Sequence, residues 1–141
     1  PLSGSTAQYY LSGLALLIKC EVFEKIGLLD ERYFLYFEDV DFSIRARKAG
    51  FTLGISRAKY THTLSATAKG LGAEKLLYLH YRNALLLNKT HGPWWVQILL
   101  PFWRFWIKLK QHIKLLLHRN IEGSKEILRA IQDYDNGQKT I

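Results

Sequence analysis

Apolar residues change their spacing several times along the chain, and each change marks an element. Residues 8–18 (QYYLSGLALLI) are a near-continuous apolar run with aromatic and branched side chains, which predicts a buried strand with Gly13 at a bend or close backbone approach. In residues 19–26, Val22, Phe23 and Ile26 recur at helical spacing and Gly27 supplies a stop, so a short helix is expected. Leu28 and Leu29 then read as core insertions, and Asp30 opens a turn. A second helix is predicted over 38–49, where Val40, Ile44 and Ala46 mix with Arg45, Arg47 and Lys48 ahead of Gly50. Residues 51–56 (FTLGIS) alternate in strand fashion and residues 59–62 form a second short extended piece, whereas residues 63–72 make a polar loop of the kind that serves as a lid.

The second half reads differently. Residues 73–89 are strongly helical and apolar over more than half their circumference, which predicts packing on the first part of the chain. Gly92-Pro93 breaks that helix and opens residues 94–107 (WWVQILLPFWRFWI), which hold all four tryptophans. The run is interrupted by Gln97, Pro101 and Arg104 and falls short of the roughly 20 apolar residues a spanning helix needs. With Lys108, Lys110, Lys114 and Arg119 following, it predicts a segment lying in a membrane interface, with Trp94, Trp95, Trp103 and Trp106 facing lipid. The competing reading is a tryptophan-rich core helix or a contact for a partner subunit. Residues 121–131 make a last amphipathic helix, and the chain is expected to fray from Asp133 onward. The expected division is 1–71 and 72–141.

Composition narrows the class. The 141 residues suffice for one domain with a real core, and the nearly half that are hydrophobic argue against disorder. The net charge of +8 is uneven: residues 1–71 carry nine Lys/Arg against seven Asp/Glu, residues 72–141 eleven against five. Between Lys89 and Ile121 there is no acidic residue. Such a surface attracts nucleic acid, anionic lipid or phosphorylated substrates, and charge alone does not choose among them. The single cysteine, Cys20, forms no internal disulfide, suits a reducing compartment and is expected to be a small buried hydrophobe. Nothing from Pro1 onward reads as a signal peptide, and the expected location is cytoplasmic, peripheral on the inner face of the cell membrane. No glycine-rich phosphate loop, paired Cys/His zinc spacing or Gly-x-Ser-x-Gly elbow occurs.

The chemistry concentrates at Glu38, Asp39 and Asp41, at the start of the second predicted helix, where unpaired N–H groups and the helix dipole favour negative charge. With about 100° per residue, Asp39 and Asp41 project to nearly opposite sides and should not grip one metal. Glu38 and Asp41 share a side, and Asp41 stands four residues before Arg45, a spacing that suits an ion pair supporting the helix. Asp39 is left as the acid most free to face a substrate. The plain alternative is that all three acids cap and solubilise the helix.

These residues also carry a resemblance. The stretch from Ser12 to Gly27, then Leu29, Asp30, Glu31, Phe34, Glu38, Asp39, Asp41, Arg45, Ala49, Gly50 and His62, closely resembles the C-terminal half of family 2 glycosyltransferases, in their bacterial rhamnosyltransferase-like branch. It covers residues 9–67, with a weaker echo at Tyr81, Arg82 and Asn83. The resemblance implies an α/β fold class, the C-terminal half of a GT-A (Rossmann-like) domain with a helical tail. It also implies inverting transfer of a sugar from a nucleotide-sugar donor to a hydroxyl of a glycan or lipid-linked acceptor, in cell-surface polysaccharide synthesis. Asp39 would be the general base, with Glu38 orienting the acceptor or the helix, and His62 would join a divalent metal, Mg²⁺ or Mn²⁺, that holds the donor diphosphate. That family's N-terminal half, with its nucleotide-binding strands and Asp-x-Asp motif, has no counterpart before Pro1, so this chain is expected to be inactive alone. The rivals are a non-catalytic scaffold and a basic module binding nucleic acid or a membrane surface. Nucleic acid is disfavoured, because the aromatics cluster with aliphatics instead of alternating with exposed cations.

Overall fold

A computed structural model of the chain describes residues 10–59, 61 and 70–137. The chain divides into two compact units, Pro1–Leu64 and Ser65–Ile141. In the first, helix α1 spans Cys20–Ile26 and helix α2 spans Glu38–Lys48. The second is built from α3 (Ala73–His91), α4 (Trp94–Leu116) and α5 (Ile121–Asp135).

Glycine sets both helix ends in the first unit. Gly27 adopts φ 77° after α1, with its N–H on Phe23 O at 2.8 Å. After α2, Gly50 takes φ 92° and donates to Arg47 O, while Phe51 N–H reaches back to Ala46 O, each at 3.0 Å. This is the Schellman arrangement, in which a left-handed residue lets the chain satisfy the last carbonyls of the helix. The same turn aims Phe51 at the core formed by Val22, Phe42 and Ala46, which Ile18, Phe23, Ile26 and Leu53 complete. The Phe23 and Phe42 rings meet at 5.6 Å, within the favourable range for aromatic pairs.

The expectation of an α/β fold, half of a GT-A (Rossmann-like) domain, is corrected by this structure: the elements are all helices, and no strand occurs among the described residues. A strand requires a neighbour to receive its outward N–H and C=O groups, and the extended runs here do not pair with each other. The first run turns at Gly13 and passes its N–H groups to side chains of α2. Two smaller expectations also fail. Leu28 and Leu29 stay exposed after the Gly27 turn, and Cys20 lies exposed at the first position of α1.

In the second unit α3 packs chiefly against α5, and α4 crosses both. Leu85, Leu100, Ile127 and Ile131 form the core, with Leu77, Tyr81, Val96, Ile107 and Tyr134 around it. Polar clips close the bundle. Ser124 Oγ donates to Gln111 Oε1 at 3.1 Å in the buried α4–α5 contact, and Tyr78 Oη donates to Asp133 Oδ2 at 2.8 Å. Burial and that bond to Asp133 push the Tyr78 hydroxyl up to about 12. Asp135 receives both Arg104 and Lys108. Of the segment expected to fray from Asp133, the residues 133–135 are therefore the end of α5 and an anchor for α3 and α4.

The reversal from α3 to α4 depends on Gly92 lacking a side chain. Its N–H bonds Asn88 O at 2.8 Å, and a Cβ there would lie 2.3 Å from that same carbonyl oxygen. The obstacle is backbone, so it cannot rotate away. Gly92→Ala should cost about 1–3 kcal/mol of stability, the usual penalty of forced overpacking. Urea unfolding followed by circular dichroism measures it; an unchanged midpoint would show that the turn relaxes.

Candidate functional site

The site assembles around the first turn of α2. Phe37, the residue before the helix, sits at φ 72° and supplies no side-chain cap, so the acids that follow take up part of that role. Asp39 accepts Val40 N–H on Oδ1 and Gly13 N–H on Oδ2, both at 2.8 Å. One turn further, buried Ser43 accepts Leu11 N–H at 3.1 Å on Oγ. Asp39 and Ser43 are four residues apart and so share a face, and together they hold the 11–13 backbone against α2. A Cβ on Gly13 would meet the Asp39 side chain at 3.4 Å, an ordinary van der Waals contact. Asp39, expected to be the acid most free, is thus clamped by two N–H groups. An ionised carboxylate has about four acceptor positions, so about two remain open.

Glu38 is in a different state. It is half-buried, and its Oε2 is buried with no hydrogen-bond partner. Burial raises its carboxyl above the usual range, and the neighbouring Asp39 charge adds to the rise. Two adjacent acids therefore differ: one is held by donors, the other is desolvated.

Asp41 faces inward, its side chain only 2% exposed, and accepts Arg45 Nε at 2.8 Å. The same guanidinium donates to Ile26 O at 2.6 Å and Leu28 O at 2.8 Å, around the end of α1. It also lies 5.2 Å from the Phe42 ring centre. In return Lys25 of α1 donates to Ala49 O at the end of α2, 2.8 Å away. Each helix thus satisfies orphan carbonyls of the other.

Between the helices, Asp30 and Arg32 form a forked ion pair, which holds the Asp30 carboxyl below its ordinary value. Tyr33 is fully buried, and Phe34, Tyr36 and Phe37 follow at φ 57°, 70° and 72°. A positive φ costs a side-chain-bearing residue of order 1–3 kcal/mol, and such strain gathers at functional sites. Here it leaves Phe34 and Tyr36 exposed just ahead of Glu38.

His62 lies outside the described residues. Among the described residues no three His, Cys, Asp or Glu side chains come together as a metal site. His62, the residue that the resemblance assigns to a divalent ion, is not among them. Sequence reasoning missed the Gly13 and Leu11 bonds to α2, Lys25 on Ala49 O and the aromatic strain. Only the first had a visible signal, a serine four residues after an aspartate in a helix.

Proteins similar to this chain are sugar transferases. An N-acetylglucosaminyl-diphospho-decaprenol L-rhamnosyltransferase, found in two strains of Mycobacterium tuberculosis, is 32% identical over 105 residues, 74% of this chain and 34% of the relative. A low-salt glycan biosynthesis hexosyltransferase of Haloferax volcanii is 29% identical over 79 residues, 55% of this chain and 26% of that relative. The chain spans about a third or less of the length of these curated relatives. Wherever it begins, a 105-residue stretch of a 141-residue chain includes α2 and its acids. These relatives are consistent with a family 2 glycosyltransferase-like region, as the wording of residues 9–67 suggests. No family model matches the chain, and no solved structure matches it.

Two measurements test the geometry. Arg45→Met removes the guanidinium from a buried carboxylate and from two backbone carbonyls at once, so it should lower stability by about 3 kcal/mol. Denaturant unfolding reads the loss; a cost below about 1 kcal/mol, the value of an exposed pair, would show that other groups hold Asp41 without Arg45. Glu38 gives a pH signature. Its folded value is raised above the ordinary 4.5, so the folded chain binds more protons than the unfolded one above that pH, and stability falls as Glu38 ionises. Glu38→Gln should therefore raise the melting temperature at neutral pH, and the gain should vanish as the pH falls below 4.5. A gain independent of pH would assign the effect to packing.

Proposed function

We propose that this chain is part of a glycosyltransferase that moves a hexosyl or deoxyhexosyl group from a nucleotide-sugar donor to a hydroxyl of a glycan or lipid-linked acceptor, with inversion at the anomeric carbon. The observation that carries the reading is Asp39, a carboxylate fixed by Gly13 and Val40 N–H groups, in a stretch shared with a named rhamnosyltransferase.

In this reading the acceptor hydroxyl loses its proton as its oxygen attacks the anomeric carbon, and Asp39 takes that proton on one of its remaining lone pairs. The two N–H groups contribute orientation: they fix the carboxylate plane before substrate arrives, which reduces the ordering left for the transition state. Glu38, half-buried beside Asp39, orients the acceptor or the start of α2. Phe34 and Tyr36 offer exposed apolar surface beside the pair, suited to the C–H face of a sugar ring.

The test is turnover of the protein that carries this region, with Asp39 changed to Asn. The amide keeps the shape but cannot accept a proton. Loss of a general base should lower kcat by about 10²–10⁴-fold with little change in the donor KM. A variant within tenfold of the parent would leave a scaffold in place of a catalyst.

A further inference from the structure

Helix α4 has two apolar faces, and only one of them is used by the fold. Val96, Leu100, Ile107 and Gln111 point toward α3 and α5. At 100° per residue, the other side carries all four tryptophans with Ile98, Phe102 and Phe105 across about 180° of arc, entered by His112 beside Trp94 and by Lys110 beside Trp103. All of these are exposed, and the four tryptophans are between 48% and 74% exposed. The 23-residue helix is about 34 Å long at 1.5 Å per residue, so this is a continuous apolar strip, far beyond the scattered exposed side chains of an ordinary surface.

Charge indicates what covers the strip. Arg104 and Lys108, on the side toward α5, are occupied by Asp135. Lys110 and Lys114 line the opposite edge next to Trp103, and Arg119 follows the helix; none has an acidic partner among the described residues. No Asp or Glu occurs between Lys89 and Ile121 to answer them. A second copy set face to face would bring the same lysines together with no acid between them, since a twofold contact uses one patch twice. Among the described residues no helix is long and apolar enough to cross a membrane. A wide apolar arc, indole rings within it and cations along its edge are the features of a helix lying in the plane of a lipid interface.

We propose that the exposed face of α4 docks on an anionic bilayer surface, with the aromatic arc sunk to the boundary between headgroups and acyl chains and Lys110, Lys114 and Arg119 on lipid phosphates. The proposal stands on the second unit alone and is independent of the sugar-transfer reading.

All four tryptophans lie in α4, so intrinsic fluorescence reports this helix without a label. The whole chain is titrated with phosphatidylcholine vesicles and with phosphatidylcholine–phosphatidylglycerol vesicles, following sedimentation and tryptophan emission. Binding to the anionic vesicles with a blue shift is expected. Trp103→Ala combined with Trp106→Ala should weaken it about tenfold or more, with unchanged circular dichroism because both rings are exposed. Lys110→Gln combined with Lys114→Gln should weaken it roughly 10- to 30-fold, taking each surface cation at its usual value, while leaving the weaker binding to neutral vesicles as it was. Three results would overturn the proposal: no partition into either vesicle, a tryptophan double variant that binds like the parent, or concentration-dependent self-association in place of vesicle binding. Retention on a single-stranded oligonucleotide in preference to anionic vesicles would overturn it as well, in favour of nucleic acid.

Discussion

The Arg45 guanidinium is the interaction on which the first unit depends. A planar group with five donors in a fixed fork can serve several acceptors at once, and here it serves Asp41 of its own helix and two carbonyls at the end of α1. Without it, the buried Asp41 carboxylate would lose the guanidinium donor it accepts from, and the carbonyls at the end of α1 would lose theirs. Lys25 makes the converse bond to Ala49 O, so the two short helices are cross-capped. That matters because α1 has seven residues and α2 eleven, lengths at which an isolated helix is marginal in water. The core of Val22, Phe42 and Ala46 is small, and directional polar bonds supply the register that so little apolar surface leaves loose.

The position of the acids follows from that frame. α2 is held from its inner side by Arg45, and the Leu11–Gly13 backbone lies along the face of Asp39 and Ser43. Glu38 projects from the same turn without a donor for Oε2. The two neighbouring acids therefore meet different surroundings: N–H donors hold the Asp39 carboxylate, whereas burial raises the Glu38 carboxyl above its usual range. The left-handed run through Phe34, Tyr36 and Phe37 belongs to this arrangement, because a chain at ordinary φ would not bring the aromatic segment into α2 at the same angle.

Local chemistry was legible in the sequence where the determinants are local. Gly27 and Gly50 mark real helix stops, because only a residue without Cβ takes those φ values cheaply. The Asp41 to Arg45 spacing announced contact across one helical turn, and Gly92-Pro93 announced the reversal. Readings that needed a distant partner were another matter. The 8–18 run has strand composition, but composition does not supply the neighbour that would make it a strand. The freedom assigned to Asp39 was removed by Gly13, 26 residues earlier, which periodicity within one helix cannot reveal. Likewise the acids after Asp133 read as a loose end because their partners, Tyr78, Arg104 and Lys108, lie far back in the chain.

Helix α4 shows why apolar content and fold stability have to be separated. Its inward stripe is sufficient to pack the three-helix unit, and the Gln111–Ser124 and Asp135 contacts fix its rotation. Because rotation is fixed, the tryptophan arc cannot turn inward to reduce its exposure, and its desolvation free energy remains unspent in the isolated chain. Gln97 and Arg104 fall beside the inward half, at 300° and 280° from Trp94 by the roughly 100° step, and Pro101 at 340° borders the arc, so they break up the linear hydrophobicity at its margin. A run that looks too polar to cross a bilayer and too apolar to face water is, on the helix, a broad apolar surface with most of its polar residues set aside, and only His112 and Lys110 stand in it.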